Sequence, residues 1–328
     1  MLRYSWIVFV HAILLSFESI AVEFFQNSLN FSVLAITTIS IPTSGTILLA
    51  IYFVPCKNKR NMFDIFKHSK QLFPASILLS IGILTWYDSV SRIGASKDGL
   101  IAGTLEIVLV LFLSHILLKE RLTPAQLLGV SLAILGFFIT ISIGSNTESL
   151  TISHFTFGDF EAIVSAICFA CSYLFTAKLV KKTSPIKTTG FILILSGMSI
   201  FIILSIGSVT LQNSVNLDIT LSIENFAILF LFSFIPLSSV LFYNIGMKRI
   251  GASLTSVLAS STIILTILFQ VLLFMIGYDL ILPLNIPLAV LGGSIGIIGI
   301  FIIHLPPKLL LVKSKKYHTL PSISFNKS

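Results

Sequence analysis

The sequence predicts an all-α integral membrane protein, with ten transmembrane helices arranged as two inverted five-helix repeats. Three observations carry this expectation. The chain of 328 residues is 55% apolar and only 10% charged, with a mean hydropathy of +1.01, whereas a soluble domain carries about 25% charged residues. Ten runs are long enough to cross a ~30 Å hydrocarbon core, which takes about 20 apolar residues each. A five-residue phrase, Arg-Ile-Gly-Ala-Ser, begins at Arg92 and again at Arg249.

Bounded by charges, prolines and polar clusters, the runs fall near 5–25, 31–54, 72–91, 99–118, 124–143, 159–178, 189–211, 225–246, 252–275 and 284–304. Helices are expected because lipid offers no partners for unpaired backbone groups, and the alternation of a membrane β-barrel is absent. In the first run, Arg3 and the stretch Ser19-Ile20-Ala21 imitate a signal peptide. Its length and the internal Glu18 favour a retained span. The expected organisation is a first repeat over 1–143, an external linker over 144–158, a second repeat over 159–305 and a basic tail over 306–328 beside anionic lipid. The 28 phenylalanines are expected to be lipid-facing bulk.

The net charge of +8 is a topology signal. With the N-terminus inside, 19 of the 21 Lys and Arg fall on the cytoplasmic side, and only Arg92 and Lys97 fall outside. Charge bias in short loops sets orientation. A multi-pass plasma-membrane protein with both termini cytoplasmic is therefore expected, with the lipid bilayer and not nucleic acid as its partner. Cysteines introduced at Asn146 and Asn216 should react with impermeant thiol reagents from outside, and those at Asn58 and Thr183 only from inside. Outside labelling at Thr183 would sink the five-plus-five plan.

An odd number of spans per half makes the second half enter the membrane in the opposite sense. The first Arg-Ile-Gly-Ala-Ser then falls outside and the second inside, as the charge placement independently requires. Such inversion is a common plan in secondary transporters. Gly129 and Gly136 in the fifth run are matched by Gly292 and Gly299 in the tenth, each pair on one helix face where another backbone can approach. Glu18 and Glu23 align with Tyr173 and Lys178. Of the three cysteines, Cys168 and Cys171 have the spacing of a redox motif. Inside an apolar run they read as small packing residues instead.

The stretch from Arg92 to Ile139 resembles the end of an EamA-type repeat of the drug/metabolite transporter superfamily. The matching residues are Gly94-Ala95, Glu106, Glu120-Arg121-Leu122, Gln126 to Gly129, and Gly136; the second half keeps Gly251-Ala252, Gly292 and Gly299. Ile107 stands where the family has proline after the glutamate. Ile263 takes the place of Glu106 in the second half, so the halves are chemically unequal. The resemblance implies a ten-span secondary transporter (permease) that moves a small organic metabolite or drug-like solute by alternating access. It also implies a central cavity walled by spans 1, 3, 4, 6, 8 and 9. On that basis Trp86, Tyr87 and Asp88 join as wall candidates from span 3, Tyr173 from span 6, and Tyr243 and Asn244 from span 8. At the repeat offset Trp86 aligns with Tyr243, and Tyr87 with Asn244.

An ionisable group deep in a membrane helix is costly and usually faces protein or water. His11 and Glu18 share a face of the first span, about two turns apart, and Glu106 lies a third of the way along the fourth. Each carboxyl reads either as a substrate or proton site or as hydrogen-bonded packing glue. With no Lys or Arg mid-span to hold Glu18 or Glu106 ionised, a proton is the candidate coupling ion. His115, nine residues beyond Glu106, lies on the opposite face and reads as interfacial. Ser260, Ser261, Thr262 and Gln270 in span 9 are polar enough to touch a solute.

No catalytic motif, metal-ligand spacing or cofactor fingerprint is present, so no enzyme activity and no cofactor are expected. A lipid-modifying membrane enzyme is the first alternative, and activity in detergent without a gradient would favour it. A non-transporting scaffold or sensor is the second, against which the lack of a soluble domain argues. Substrate identity, direction, coupling ion and oligomeric state are not encoded in any motif of the sequence.

Overall fold

The computed structural model describes residues 2–54, 63–118, 124–141, 156–210, 222–278, 280–281 and, near the C-terminus, 291–292, 294–296, 298–299 and 302. The helices are α1 (Leu2–Asn27), α2 (Val33–Phe53), α3 (Ser69–Ile93), α4 (Ala95–Asp98), α5 (Thr104–Leu113), α6 (Pro124–Ile141), α7 (Phe157–Val180), α8 (Pro185–Thr210), α9 (Ile223–Phe232), α10 (Phe234–Ile250), α11 (Ala252–Ala259) and α12 (Ser261–Ile276). All regular structure among the described residues is helical. Eight helical stretches are long and apolar enough to cross a membrane, counting α4 to Leu117, α9 with α10 and α11 with α12 as single spans. They correspond to the expected spans 1–4 and 6–9. The fifth expected span is α6, and most of the tenth lies outside the described residues. So do the basic clusters at 57–60, 119–121 and 308–316, the positions Asn58, Asn146 and Asn216, and the expected linker and tail.

Local chemistry sets the boundaries. Ser32 and Ser222 cap α2 and α9 by accepting from the backbone N–H three residues on, and Thr156 forms a capping box with Asp159 at the start of α7. Within the spans, hydroxyls such as Ser40, Ser44, Ser76 and Ser80 donate to the carbonyl one turn back, which satisfies them where no water is at hand.

The repeated phrase has a structural cause. Gly94 (φ +82°, ψ +152°) separates α3 from α4, and Gly251 (φ +89°, ψ +162°) separates α10 from α11. This backbone region is essentially restricted to glycine. Both copies of Arg-Ile-Gly-Ala-Ser therefore encode the same joint, at which one span ends and the next begins without a loop. A Cβ on Gly94 would also meet the Ile281 carbonyl oxygen at 2.9 Å. Gly94→Ala is expected to cost about 1–3 kcal/mol and to lower the apparent melting temperature in detergent. Gly99→Ala, where a Cβ meets nothing within 4 Å, should leave it nearly unchanged.

The closest helix pairings are α3 with α7, α2 with α8 and α1 with α10. Small residues allow them: a Cβ on Gly45 would reach the Gly190 carbonyl oxygen at 2.8 Å, and one on Gly82 would strike Phe169 at 2.8 Å. Cys168 and Cys171 are free thiols, and Cys168 lies against Gly82 in the same seam. A Cβ on Gly136 would meet the Gly292 carbonyl oxygen at 2.5 Å, so α6 passes close to the backbone at Gly292, one of the glycines singled out in the second half.

Many phenylalanines do face outward, among them Phe9, Phe17, Phe73, Phe201 and Phe274. The expectation that all are lipid-facing needs correcting, because Phe31, Phe169, Phe191 and Phe232 are buried. Phe169 fills the space that Gly82 leaves open, while Phe31 and Phe232 pack on Phe25, and Phe191 packs on Phe53 and Phe66.

Candidate functional site: a carboxylate-lined cavity between the two halves

A cavity of about 90 Å³ lies among α1, α3, α4–α5, α7, α10 and α11–α12, with Ile41 of α2 and Leu193 of α8 at its edge. That is several times the ~10–15 Å³ one ordered water requires. Its span composition is the one the family resemblance implies, with those two residues added.

Six of the nine residues singled out in the sequence line it: His11, Glu18, Trp86, Glu106, Tyr173 and Tyr243. His11 Nδ1 lies 2.9 Å from the Ser239 carbonyl oxygen. A carbonyl only accepts, so Nδ1 carries the proton in this contact. The His11 ring leans on Tyr243 at 4.8 Å, Tyr243 on Tyr173 at 4.4 Å, Tyr173 stacks on Phe169 at 6.0 Å, and Phe169 meets Trp86 edge-on at 5.9 Å. One wall is thus a continuous series of aromatic rings drawn from both halves. Tyr87 Oη donates to Glu18 Oε1 at 2.8 Å, while Glu18 Oε2 is buried with no hydrogen-bond partner.

The other three residues do not line the cavity. Tyr87 is fully buried behind Glu18 and holds it. Asn244, its counterpart at the repeat offset, donates to Thr189 Oγ1 of α8 at 2.7 Å. Asp88 pairs with Arg92 at 2.9 Å one turn on, and Arg92 also reaches Glu161 of α7 at 3.2 Å. Lys97 pairs with Asp159 at 2.8 Å. Arg92 and Lys97, the two cations set apart by the charge pattern, thus tie the α3–α4 joint to the start of α7. Among the span-9 residues, Ser260 and Thr262 line the cavity, whereas the Ser261 hydroxyl donates to the Leu258 carbonyl at the end of α11. His115 lies on an exposed face.

The sequence reading passed over two acidic residues. Asp98 lines the cavity, accepting from Ser89 Oγ at 2.5 Å. It sits one residue before the expected start of the fourth span, which in fact begins at Ala95 and passes through a π-turn at Gly99–Gly103. That turn distorts the helix just ahead of Glu106, where the family's proline is missing; π-turns inside helices are frequent at functional sites. Glu23, two residues from the expected end of the first span, is fully buried. Its Oε2 accepts from the Ala95 N–H at 2.8 Å and from Gln270 Nε2 at 2.8 Å, and its Oε1 from the Ile281 N–H at 2.6 Å. Gln270 Oε1 in turn accepts from both the N–H and the hydroxyl of Ser96. One carboxylate therefore binds together α1, the glycine joint, α12 and the segment after it. Its alignment with Lys178 was the only sequence signal pointing to Glu23.

The profile of the EamA-like transporter family matches this chain twice, over residues 3–142 and 156–305. The uncharacterized transporter YyaM of Bacillus subtilis (strain 168) is 26% identical over 203 residues, covering 62% of this chain and 62% of its own length. A solved structure described only as "Crystal structure of protein" superposes with a TM-score of 0.66 at 15% identity, covering 94% of this chain and 98% of that one. At that identity the likeness concerns the fold alone.

Proposed function

The chain belongs to the EamA-like transporter family, and from that premise we propose a secondary transporter that moves a small organic solute across the plasma membrane by alternating access. The observation that carries the reading is the cavity, in which ionisable and aromatic side chains from both matched halves converge. Binding at the interface of two repeats is how such transporters expose one site to either side. The pairing pattern supports the inverted plan. Exchanging the halves turns the α3–α7 contact into the α1–α10 contact and leaves α2–α8 as it is. The charge placement supports cytoplasmic termini.

In this reading the Glu23 network closes the end of the cavity at which α1 finishes. Opening that end means parting α1 from α12 and from the glycine joint. Glu18 and Glu106 are the proposed proton sites. The titratable groups around them are His11 of the same helix as Glu18, Tyr87, Asp98, Tyr173 and Tyr243, with no Lys or Arg among the described lining residues.

The test is uptake of a solute panel into proteoliposomes, with and without an imposed pH gradient. Solute accumulation that follows the gradient in wild type, and is lost when Glu18 and Glu106 are both Gln, is the expected result. Accumulation that survives the double substitution would remove both carboxyls from the coupling step. Turnover of a lipid in detergent without transport would favour an enzyme instead.

A further inference from the structure

We infer that the solute is an organic cation carrying an aromatic or apolar body, held by Glu18 and Glu106 against the Trp86–Tyr173–Tyr243 wall. The inference rests on the transport reading and adds the substrate's chemical class. Three independent features of the cavity point the same way.

The first is the sign of its charge. The acidic groups that line it are Glu18, Asp98 and Glu106, and no described lining residue is Lys or Arg. Arg92 and Lys97, the nearest cations in sequence to Asp98, are engaged by Asp88 of α3 and by Glu161 and Asp159 of α7. An anionic solute would find no Lys or Arg as counter-charge among the described lining residues, and any lining carboxyl that is ionised would repel it.

The second is unused hydrogen-bonding and charge capacity. Glu18 is 3% exposed, its Oε1 is held by Tyr87, and its Oε2 has no partner. Buried polar atoms are ordinarily paired, so an unpartnered carboxylate oxygen on a residue that lines a cavity marks a place for a donor or a cation. Glu106 makes no hydrogen bond or ion pair with any other described residue, whereas the other buried carboxylate of the first span, Glu23, accepts three. The protein satisfies both oxygens of the carboxylate it uses for structure and leaves one oxygen of Glu18 and the carboxyl of Glu106 without a described partner.

The third is the wall itself. Trp86, Phe169, Tyr173 and Tyr243 all line the cavity. Aromatic rings attract a cation within about 6 Å of a ring centroid and pair with an aromatic body.

The protein's two tryptophans provide a reporter, because Trp6 is exposed and Trp86 lines the cavity. In a Trp6→Phe background, purified protein is titrated with three probes of similar size: benzyltrimethylammonium, neutral N,N-dimethylbenzamide and anionic phenylacetate. Saturable quenching by the ammonium at a Kd at least tenfold below that of the amide, with phenylacetate weaker still, is expected. Glu18→Gln and Glu106→Gln should each weaken the ammonium at least tenfold and leave the amide within about twofold, a difference that misfolding would not produce. Glu18→Asp should keep the cation preference. Wild type that fails to bind the ammonium, or binds it no more tightly than the amide, overturns the inference whatever the variants do. A preference that persists in both Gln variants overturns it as well. The transport reading is judged separately: proteoliposomes that bind the ammonium without carrying it defeat that reading and leave the site's chemistry standing.

Discussion

Replacing Glu106 with Gln is expected to cut the transport rate at least tenfold at unchanged expression, while Ile263→Gln should change it by less than about twofold. Ile263 occupies the equivalent place in the second half, lines the same cavity and packs against Gly103 of the π-turn. The two substitutions therefore put the same amide at corresponding positions of the two halves in one site, and only one of them removes a carboxyl. A tenfold loss corresponds to about 1.4 kcal/mol. That is less than the ~2.5–3.5 kcal/mol that placing a charged residue mid-membrane costs on insertion scales, a cost with no structural return in a side chain that makes no described bond. Equal, small effects of both substitutions would show that Glu106 serves packing, and would move the site toward Glu18 and Asp98.

The second large effect is expected at Glu23. Glu23→Gln is nearly isosteric, but its NH2 can only donate, and every neighbour of the carboxylate is itself a donor. At least one buried N–H is then left opposite another donor, at a cost of about 1–3 kcal/mol. If the network closes one end of the cavity, that cost falls on the closed state alone and shifts the opening equilibrium by roughly 5- to 150-fold. The measurement is the rate at which an impermeant thiol reagent reaches a cysteine placed at Ala102, which lines the cavity, in protein lacking Cys56, Cys168 and Cys171. The rate should rise at least fivefold in Glu23→Gln when reagent is applied on the side where α1 ends. Gln270→Glu, which puts a second carboxylate against Glu23, should act in the same direction. An unchanged rate in both would make the network a static clamp.

What was legible in the sequence follows from two rules that act locally along the chain. Lipid demands helices of fixed length, so composition alone placed eight spans to within a few residues. The glycine-only backbone of the joint demanded its own residue at Gly94 and Gly251, so a five-residue phrase recurred where the fold needs the same turn. The cost of burying charge in lipid likewise made Glu18, Glu106 and His11 conspicuous without any structure. The same rule hid Asp98 and Glu23, which stand at span ends where a charge is cheap in sequence terms and draws no notice. Tertiary packing buried them both: α4 extends the fourth span past Asp98, and the Ala95, Gln270 and Ile281 donors surround Glu23 from three directions. Between Trp86 and Tyr87 the sequence likewise does not choose. One hundred degrees of helix rotation sends the first ring into the cavity and the second behind Glu18, and that rotation is set by α3 packing on α7 through Gly82. The chain's own residues determined that it is a helical membrane protein built in two related halves. Which of its polar groups are spent on one another, and which are left open to a solute, was decided only when helices far apart in sequence came into contact.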